Sequence, residues 1–174
     1  MSHHILVRPA EIHDVDAMYD FFAPYAEKRI ILPRSRDDLF QHLQEFLVAE
    51  YDGKVVGAVA LHIYASNLAE IRSLVIDPAH QSMGIGRMLV EGAERVAAGL
   101  GLASVFALTY VDKFFIKLGY SIVSRESLPQ KVWTVCIHCD KFSHCDEIAV
   151  QKRLSDAPIE PMNVIPILEV VAKD

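Results

Sequence analysis

The stretch Ile71-Arg72-Ser73-Leu74-Val75-Ile76-Asp77-Pro78-Ala79-His80-Gln81-Ser82-Met83-Gly84-Ile85-Gly86-Arg87-Met88-Leu89-Val90 decides the fold. An apolar strand ends at Asp77-Pro78. A loop of pattern Q-x-x-G-x-G follows, and a helix begins at its end. Backbone N–H groups at a helix start have no intrahelical partner, and the helix dipole favours an anion there. Gly84 and Gly86 let the backbone approach a diphosphate without a Cβ in the way. The stretch therefore reads as a phosphate cradle. It is not a Walker loop, because Arg87-Met88 stands where Lys-Ser/Thr is needed. It is not a dinucleotide fingerprint either, because position 89 is Leu and Asp77–His80 separates strand from loop.

Working outward, the predicted elements alternate strand and helix. Ile5–Arg8 is a short strand ended by Pro9. Asp14 is placed to cap a helix carrying Val15, Met18, Phe21 and Phe22 at helical spacing, and Pro24 is expected to end or kink it. Ser35 with Asp38 resembles a capping box and starts a second helix through Leu39, Phe40 and Leu43. Phe46–Tyr51 and Lys54–Tyr64 form a hairpin around Asp52-Gly53. Glu70–Ile76 is the next strand. Gly86–Gly99 is a helix with Ile85, Leu89, Ala93, Val96 and Leu100 on one stripe. Ala103–Leu108, Val111–Leu118, Tyr120–Ser124 and Glu147–Leu154 read as strand, helix, strand and strand. This order implies an α/β domain over 1–154, with a mixed central sheet flanked by helices on both faces. An insert, Arg125–Asp146, interrupts the last two strands. The tail 155–174 is left open between a disordered segment, a surface-packed one and an edge strand through Ile165–Val171.

Composition excludes several classes. The chain has 174 residues, 52% of them hydrophobic, enough for one compact core. A net charge of −6 and a pI near 5.7 argue against non-specific nucleic-acid binding. There is no apolar run long enough for a membrane span and no signal-peptide hydrophobic region at the start. Three cysteines do not make a disulfide framework. The expectation is a soluble cytoplasmic protein, with a homodimer left open.

The segments L-V-I-D-P-x-x-Q-x-x-G-I-G-R-x-L-V (Leu74–Val90) and F-F-I-K-L-G-Y (Phe114–Tyr120) resemble the GNAT N-acetyltransferases. That resemblance implies acetyl-CoA as cosubstrate. It assigns Gln81, Met83, Gly84, Ile85, Gly86 and Arg87 to the CoA pyrophosphate, mainly through backbone N–H groups, with Arg87 adding a charge-assisted contact. It lays Leu74, Val75 and Ile76 along the pantetheine and packs the second segment beside it. The alternative is a glycine turn that holds no ligand.

Amine acetylation benefits from a base. Glu70, at the start of the central strand, stands where GNAT histone acetyltransferases place theirs. Period-two alternation puts Glu70, Arg72, Leu74 and Ile76 on one face and Ile71, Ser73 and Val75 on the other. Glu70 and Arg72 are thus either base and carboxylate anchor, or a charge pair at a sheet rim. A neighbouring Arg72 is expected to depress the basicity of Glu70. Many GNAT enzymes donate the final proton from a Tyr where this chain has Phe115. Tyr110, with Thr109 beside it, is the nearest hydroxyl in sequence, and solvent is the alternative.

Ile31–Arg36 (I-L-P-R-S-R), Ala69–Pro78, Phe106–Tyr110, the Phe114 segment and Leu128–Cys139 (L-P-x-K-V-W-x-x-C-x-x-C) together resemble the short bacterial amino-acid N-acetyltransferases of the N-acetylglutamate synthase type. Those consist of the acetyltransferase domain without an amino-acid-kinase domain. The resemblance spans Ile5–Leu154 and implies L-glutamate as acceptor, in the first step of arginine synthesis, with weak or absent inhibition by arginine. Glutamine, another amino acid, a protein N-terminus and a non-catalytic acyl-CoA sensor are the alternatives. A dicarboxylate needs cationic or N–H-rich anchors. Arg34, Ser35, Arg72 and Lys131 are the candidates. Finally, Cys136, Cys139 and Cys145 with His138 or His144 have a spacing that could clip zinc. The competing reading is reduced thiols packing the insert, and no metal ligand is assigned.

Overall fold

A computed structural model describes residues 4–129 and 145–154. β1 (Ile5–Pro9) leads into α1 (Val15–Glu27) and α2 (Arg36–Gln41). β2 (Phe46–Tyr51), β3 (Lys54–Ala65) and β4 (Leu68–Ile76) form a meander. α3 (Ile85–Gly99), β5 (Ser104–Thr109), α4 (Asp112–Lys117), β6 (Ser121–Ile122) and β7 (Ile148–Arg153) complete the order expected from the sequence. The seven strands lie in the order β1-β2-β3-β4-β5-β7-β6. β4 and β5 pair parallel and the other neighbours antiparallel, so the sheet is mixed. No helix among the described residues is long and apolar enough to cross a membrane.

Two apolar layers hold the sheet. On one face α3 buries Ile85, Leu89, Val90, Ala93 and Ala97 against Ala69, Ile71, Val105 and Ala107, and Phe115 of α4 joins them. On the other, Val15, Met18 and Phe22 of α1 and Leu39 of α2 pack on Phe46, Val48, Ala58, Ala60 and Val75. Fully burying one such side chain is worth about 1.5–3 kcal/mol, so each helix is fixed by its stripe rather than by propensity.

Several local expectations are corrected. Asp14 does not cap α1 through its side chain. Its carboxylate is buried, takes both Arg8 Nη1 and Nη2 at 2.7 and 3.0 Å, and accepts the Glu11 N–H at 2.7 Å. Pro24 neither ends nor breaks α1, which runs on to Glu27. Pro24 and Asp20, the residue four before it, both lie on the exposed side of the helix. α2 stops at Gln41, and Leu43–Glu45 is a separate 3-10 turn. Leu100 leaves the α3 stripe and is exposed. Tyr120 lies before β6 as a buried core residue whose hydroxyl donates to Glu94. The Cys136–Cys139 region and the tail from 155 lie outside the described residues.

The largest correction concerns β4. Between Ala58↔Val75 and Ala60↔Arg72, β4 advances one residue more than β3. Ser73 takes up the extra residue with φ 53°. A bulge reverses the facing of everything beyond it. Leu74 and Ile76 therefore join Ala69 and Ile71 on the α3 side, while Val75 faces α1 with Glu70 and Arg72. Unbroken alternation would put Leu74 and Ile76 with Glu70, so the bulge corrects that expectation.

Candidate functional site

The parallel ladder between β4 and β5 is short. It pairs Leu68↔Ser104, Ala69↔Val105 and Glu70↔Phe106, and then stops. β4 continues to Ile76 against β3, and β5 continues to Thr109 against β7. The two strands thus splay into a V in the middle of the sheet, with Glu70 at the apex. The arms carry main-chain groups that no strand pairs. At the open end the Asp77 N–H donates to the Val56 carbonyl at 2.8 Å, and Ile76 lies opposite Gly57. In this antiparallel alternation Ile76 turns its own N–H and C=O away from β3, toward the opening.

The loop between β4 and α3 lies at that open end. Asp77 folds its start by accepting the Ala79 N–H at 3.1 Å. Ser82 and Gly84 both have left-handed backbones, with φ 66° and 80°. Gly84 precedes the first turn of α3, and no side chain caps that turn. Space is open around the position its Cβ would take, so backbone conformation is what selects glycine there. Gly86 differs. Its missing side chain faces the Phe114 ring and Ile76 at 3.4 and 3.6 Å, ordinary contact distances. Ile85 is core, so only its N–H is available to a ligand. Met83 is exposed. Arg87 pairs along the helix with Glu91 at 2.7 Å on the surface. The Gln81 side chain donates to the Tyr25 hydroxyl at 2.9 Å, and that hydroxyl donates to the Ile76 carbonyl at 2.8 Å. Sequence reasoning missed Tyr25, because nothing local signals a contact across fifty positions.

At the apex, Glu70 is buried and accepts the Tyr64 hydroxyl at 3.0 Å. Burial pushes its carboxyl up to about 7, although the Arg72 charge and the Tyr64 bond pull the other way. The expectation that Arg72 would win is corrected: desolvation outweighs a cation that does not bond the carboxylate. Arg72 instead donates to Glu45 at 3.2 Å, and Glu45 also pairs with His62 at 2.9 Å. The Arg72 Nε is buried with no partner among the described residues. Arg34 arrives from the segment before α2. It bonds Asp38 at 2.7 Å and Ser73 Oγ at 3.3 Å, lies over the Phe46 ring, and its charge reaches Glu70. Arg36 turns outward to Asp16 and the Tyr19 ring. Ser35 is occupied as the α2 N-cap, accepting the Asp38 N–H at 3.0 Å. α2 spans six residues with Asp37 and Asp38 in its first turn, so its N-terminus is already served by its own groups.

Tyr110 stands just past β5 on the other arm of the V, partly exposed. Thr109 Oγ1 accepts the Val111 N–H at 2.9 Å and helps turn the chain there. Phe115 is core, edge-on to Phe114 and Tyr120, so α4 offers no hydroxyl to the opening. Lys131, Cys136, His138, Cys139 and His144 lie outside the described residues. Cys145 is free, and its thiol lies 3.7 Å from Glu147 Oε2. No metal-ligating cluster occurs among the described residues.

Residues 12–120 match the Acetyltransferase (GNAT) family. The chain belongs to the GNAT acetyltransferase family. This GNAT protein is 42% identical over 148 residues to an uncharacterized N-acetyltransferase of Chlorobaculum tepidum, covering 85% of this chain and 96% of that one. It is 35% identical over 159 residues to an amino-acid acetyltransferase of Mycobacterium tuberculosis, covering 90% and 87%. Among solved structures it resembles the N-acetylglutamate synthase of Neisseria gonorrhoeae complexed with coenzyme A and N-acetyl-glutamate. The TM-score is 0.80 at 27% identity, over 89% of this chain and 36% of that longer one. A Mycobacterium tuberculosis protein in complex with CoA superposes with TM-score 0.76 at 32% identity, over 86% and 99%.

Proposed function

We propose that this GNAT protein transfers the acetyl group of acetyl-CoA to the α-amine of L-glutamate by direct attack in a ternary complex. The observation that carries the reading is the buried Glu70 at the apex of the V, with Arg72 and Arg34 on its face and a glycine-bearing helix start at the open end. The relatives named amino-acid acetyltransferase and the glutamate-derived product held by the Neisseria synthase support the same acceptor class.

In this reading the α3 first turn and the Gln81–Arg87 loop hold the pyrophosphate through backbone N–H groups. The open edge at Leu74–Ile76 takes the pantetheine amides as an added strand would. The acceptor enters on the α1 side, where Arg72 and Arg34 meet its carboxylates and Ser35 shapes the wall. Lys131 remains a proposed anchor on sequence grounds. The amine reaches the site as an ammonium ion and gives its proton to Glu70, whose carboxyl burial pushes up to about 7. The nitrogen lone pair then attacks the thioester carbon, the C–S bond breaks, and the nitrogen gives up a second proton, which replaces the one delivered to the departing sulfur. Tyr110 is the side chain proposed to protonate the departing thiolate, with solvent as its substitute.

A second reading keeps the chemistry and changes the acceptor to an amino acid with an uncharged side chain, such as glutamine. It is favoured by the carboxylates Asp38 and Glu45 that already partner the two arginines. Chromatographic measurement of CoA released from acetyl-CoA, with a panel of amino acids, tests both. Release dependent on glutamate supports the first, and release with glutamine alone supports the second. CoA binding without release would overturn the enzymatic reading.

A further inference from the structure

We propose that Tyr25 positions the cosubstrate loop, by clamping Gln81 to the open end of β4. The inference rests on the reading of that loop as the acetyl-CoA pyrophosphate site. One hydroxyl makes both contacts. It donates to the Ile76 carbonyl at 2.8 Å and accepts from Gln81 Nε2 at 2.9 Å. These two partners bracket the turn through Asp77 and Pro78. The hydroxyl therefore fixes the distance between the last residue of the strand and the first residue of the loop.

The position of the clamp gives it a functional consequence. Ile76 C=O points into the V rather than into the β3 ladder, where it has no strand partner. Tyr25 satisfies that carbonyl, which an unpaired strand edge would otherwise leave to water. The same contact commits the Gln81 amide to Tyr25, and no side chain caps the first turn of α3. Two left-handed residues follow, Ser82 and Gly84. A loop with such a backbone has few local restraints, and a tether at its entry is the economical way to hold it. Tyr25 itself is anchored by α1, whose Met18 and Phe22 are buried against the sheet. The clamp thus ties the acceptor-side helix to the donor loop, on a rigid element rather than on another loop.

Tyr25→Phe removes the hydroxyl and keeps the ring. Two neutral hydrogen bonds are lost, so acetyl-CoA should bind about five- to thirty-fold more weakly. The amino-acid KM and the pH profile should stay as in the wild type. The discriminating comparison uses acetyl-pantetheine, which lacks the pyrophosphate: its KM should rise less than two-fold in the same variant. Calorimetry of CoA with the wild-type chain is the control. If the wild type binds no CoA, the loop reading fails and the positioning role of Tyr25 falls with it. If the wild type binds CoA and Tyr25→Phe binds it as tightly, the clamp is overturned. Equal losses for acetyl-CoA and acetyl-pantetheine would also overturn it, since a general disturbance of α1 would not discriminate between them. Thermal unfolding of the variant, expected within a few degrees of wild type, separates loop positioning from misfolding.

Discussion

Arg72 lies two residues from Glu70 on the same face of β4, yet its guanidinium bonds Glu45 and not Glu70. The cation is thereby close enough to be felt and too far committed to neutralise the carboxylate. Glu70 keeps the proton affinity that burial gives it, and the arginine keeps donors for a ligand.

Turnover should depend on pH through Glu70. Glu70 in the folded chain titrates near 7, raised by burial above its ordinary value. As a base it works ionised, so kcat/KM should rise with pH through about 7 and level off above it. Glu70→Gln should lower kcat by roughly 10²–10⁴-fold and abolish that limb. A variant that retains the wild-type profile would remove Glu70 from the chemistry.

The same shift has a stability consequence of opposite sense. A carboxyl whose folded value is raised binds its proton more tightly when folded than when unfolded. Stability therefore falls as pH rises from about 4.5 to about 7, and the full cost, roughly 3 kcal/mol at most, is present above that. Glu70→Gln should accordingly be more resistant to urea than wild type at pH 8 and no more resistant at pH 4.

Arg34→Ala and Arg72→Ala should each weaken amino-acid use by about 1.5–3 kcal/mol, the worth of a charged hydrogen bond, with the KM for acetyl-CoA barely changed. Arg72→Ala has a second signature. It removes a charge that holds Glu70 down, so the acid limb should move to higher pH. Wild-type kinetics with glutamate in either variant would show that the residue is not an anchor.

The two glycines of the loop should respond differently. Gly84→Ala forces a Cβ onto a left-handed backbone and should cost about 1–2 kcal/mol of stability while raising the KM for acetyl-CoA. Gly86→Ala sits in a helical turn with ordinary contacts to Phe114 and Ile76, so stability should change by less than about 1 kcal/mol. Any rise in KM at Gly86 then reports close approach of the ligand itself.

Asp14 anchors the fold rather than the site. Burial pushes its carboxyl up, but the Arg8 guanidinium and the Glu11 N–H more than offset this and hold it below the usual carboxylate range. Its stabilisation is present above about pH 4 and is lost as pH falls further. Asp14→Asn removes the charge from this contact while Glu50 still pairs with Arg8 at 3.0 Å, so it should cost about 1.5–3 kcal/mol in urea unfolding at pH 7, with the difference narrowing on acidification.

What local pattern controls was legible in the chain. The Asp77-Pro78 stop, the Gly84 turn, the α3 stripe and the Asp52-Gly53 hairpin each depend on neighbouring residues, and together they carried the element order and the family. What depends on the third dimension was not. The bulge at Ser73 carries no glycine to announce it, and it inverts which side chains accompany Glu70. The balance at Glu70 turned on how completely the sheet and Tyr64 bury it, a quantity that spacing does not contain. Tyr25 reads as one more aromatic on an amphipathic helix until the fold brings Gln81 to its hydroxyl. Pro24 lies inside α1 on that helix's exposed side, a placement that only the fold settles.

If Glu70 is the base for acetyl transfer from acetyl-CoA to glutamate, turnover must depend on both that amino acid and that carboxyl. The most direct measurement is glutamate-dependent release of CoA, followed chromatographically across pH 5.5–9 for the wild type and Glu70→Gln, with N-acetylglutamate identified as the product. The expected result is turnover that rises through about pH 7 in the wild type and is lost in the variant. Release of CoA with other amino acids but not with glutamate, or undiminished turnover by Glu70→Gln, would contradict it.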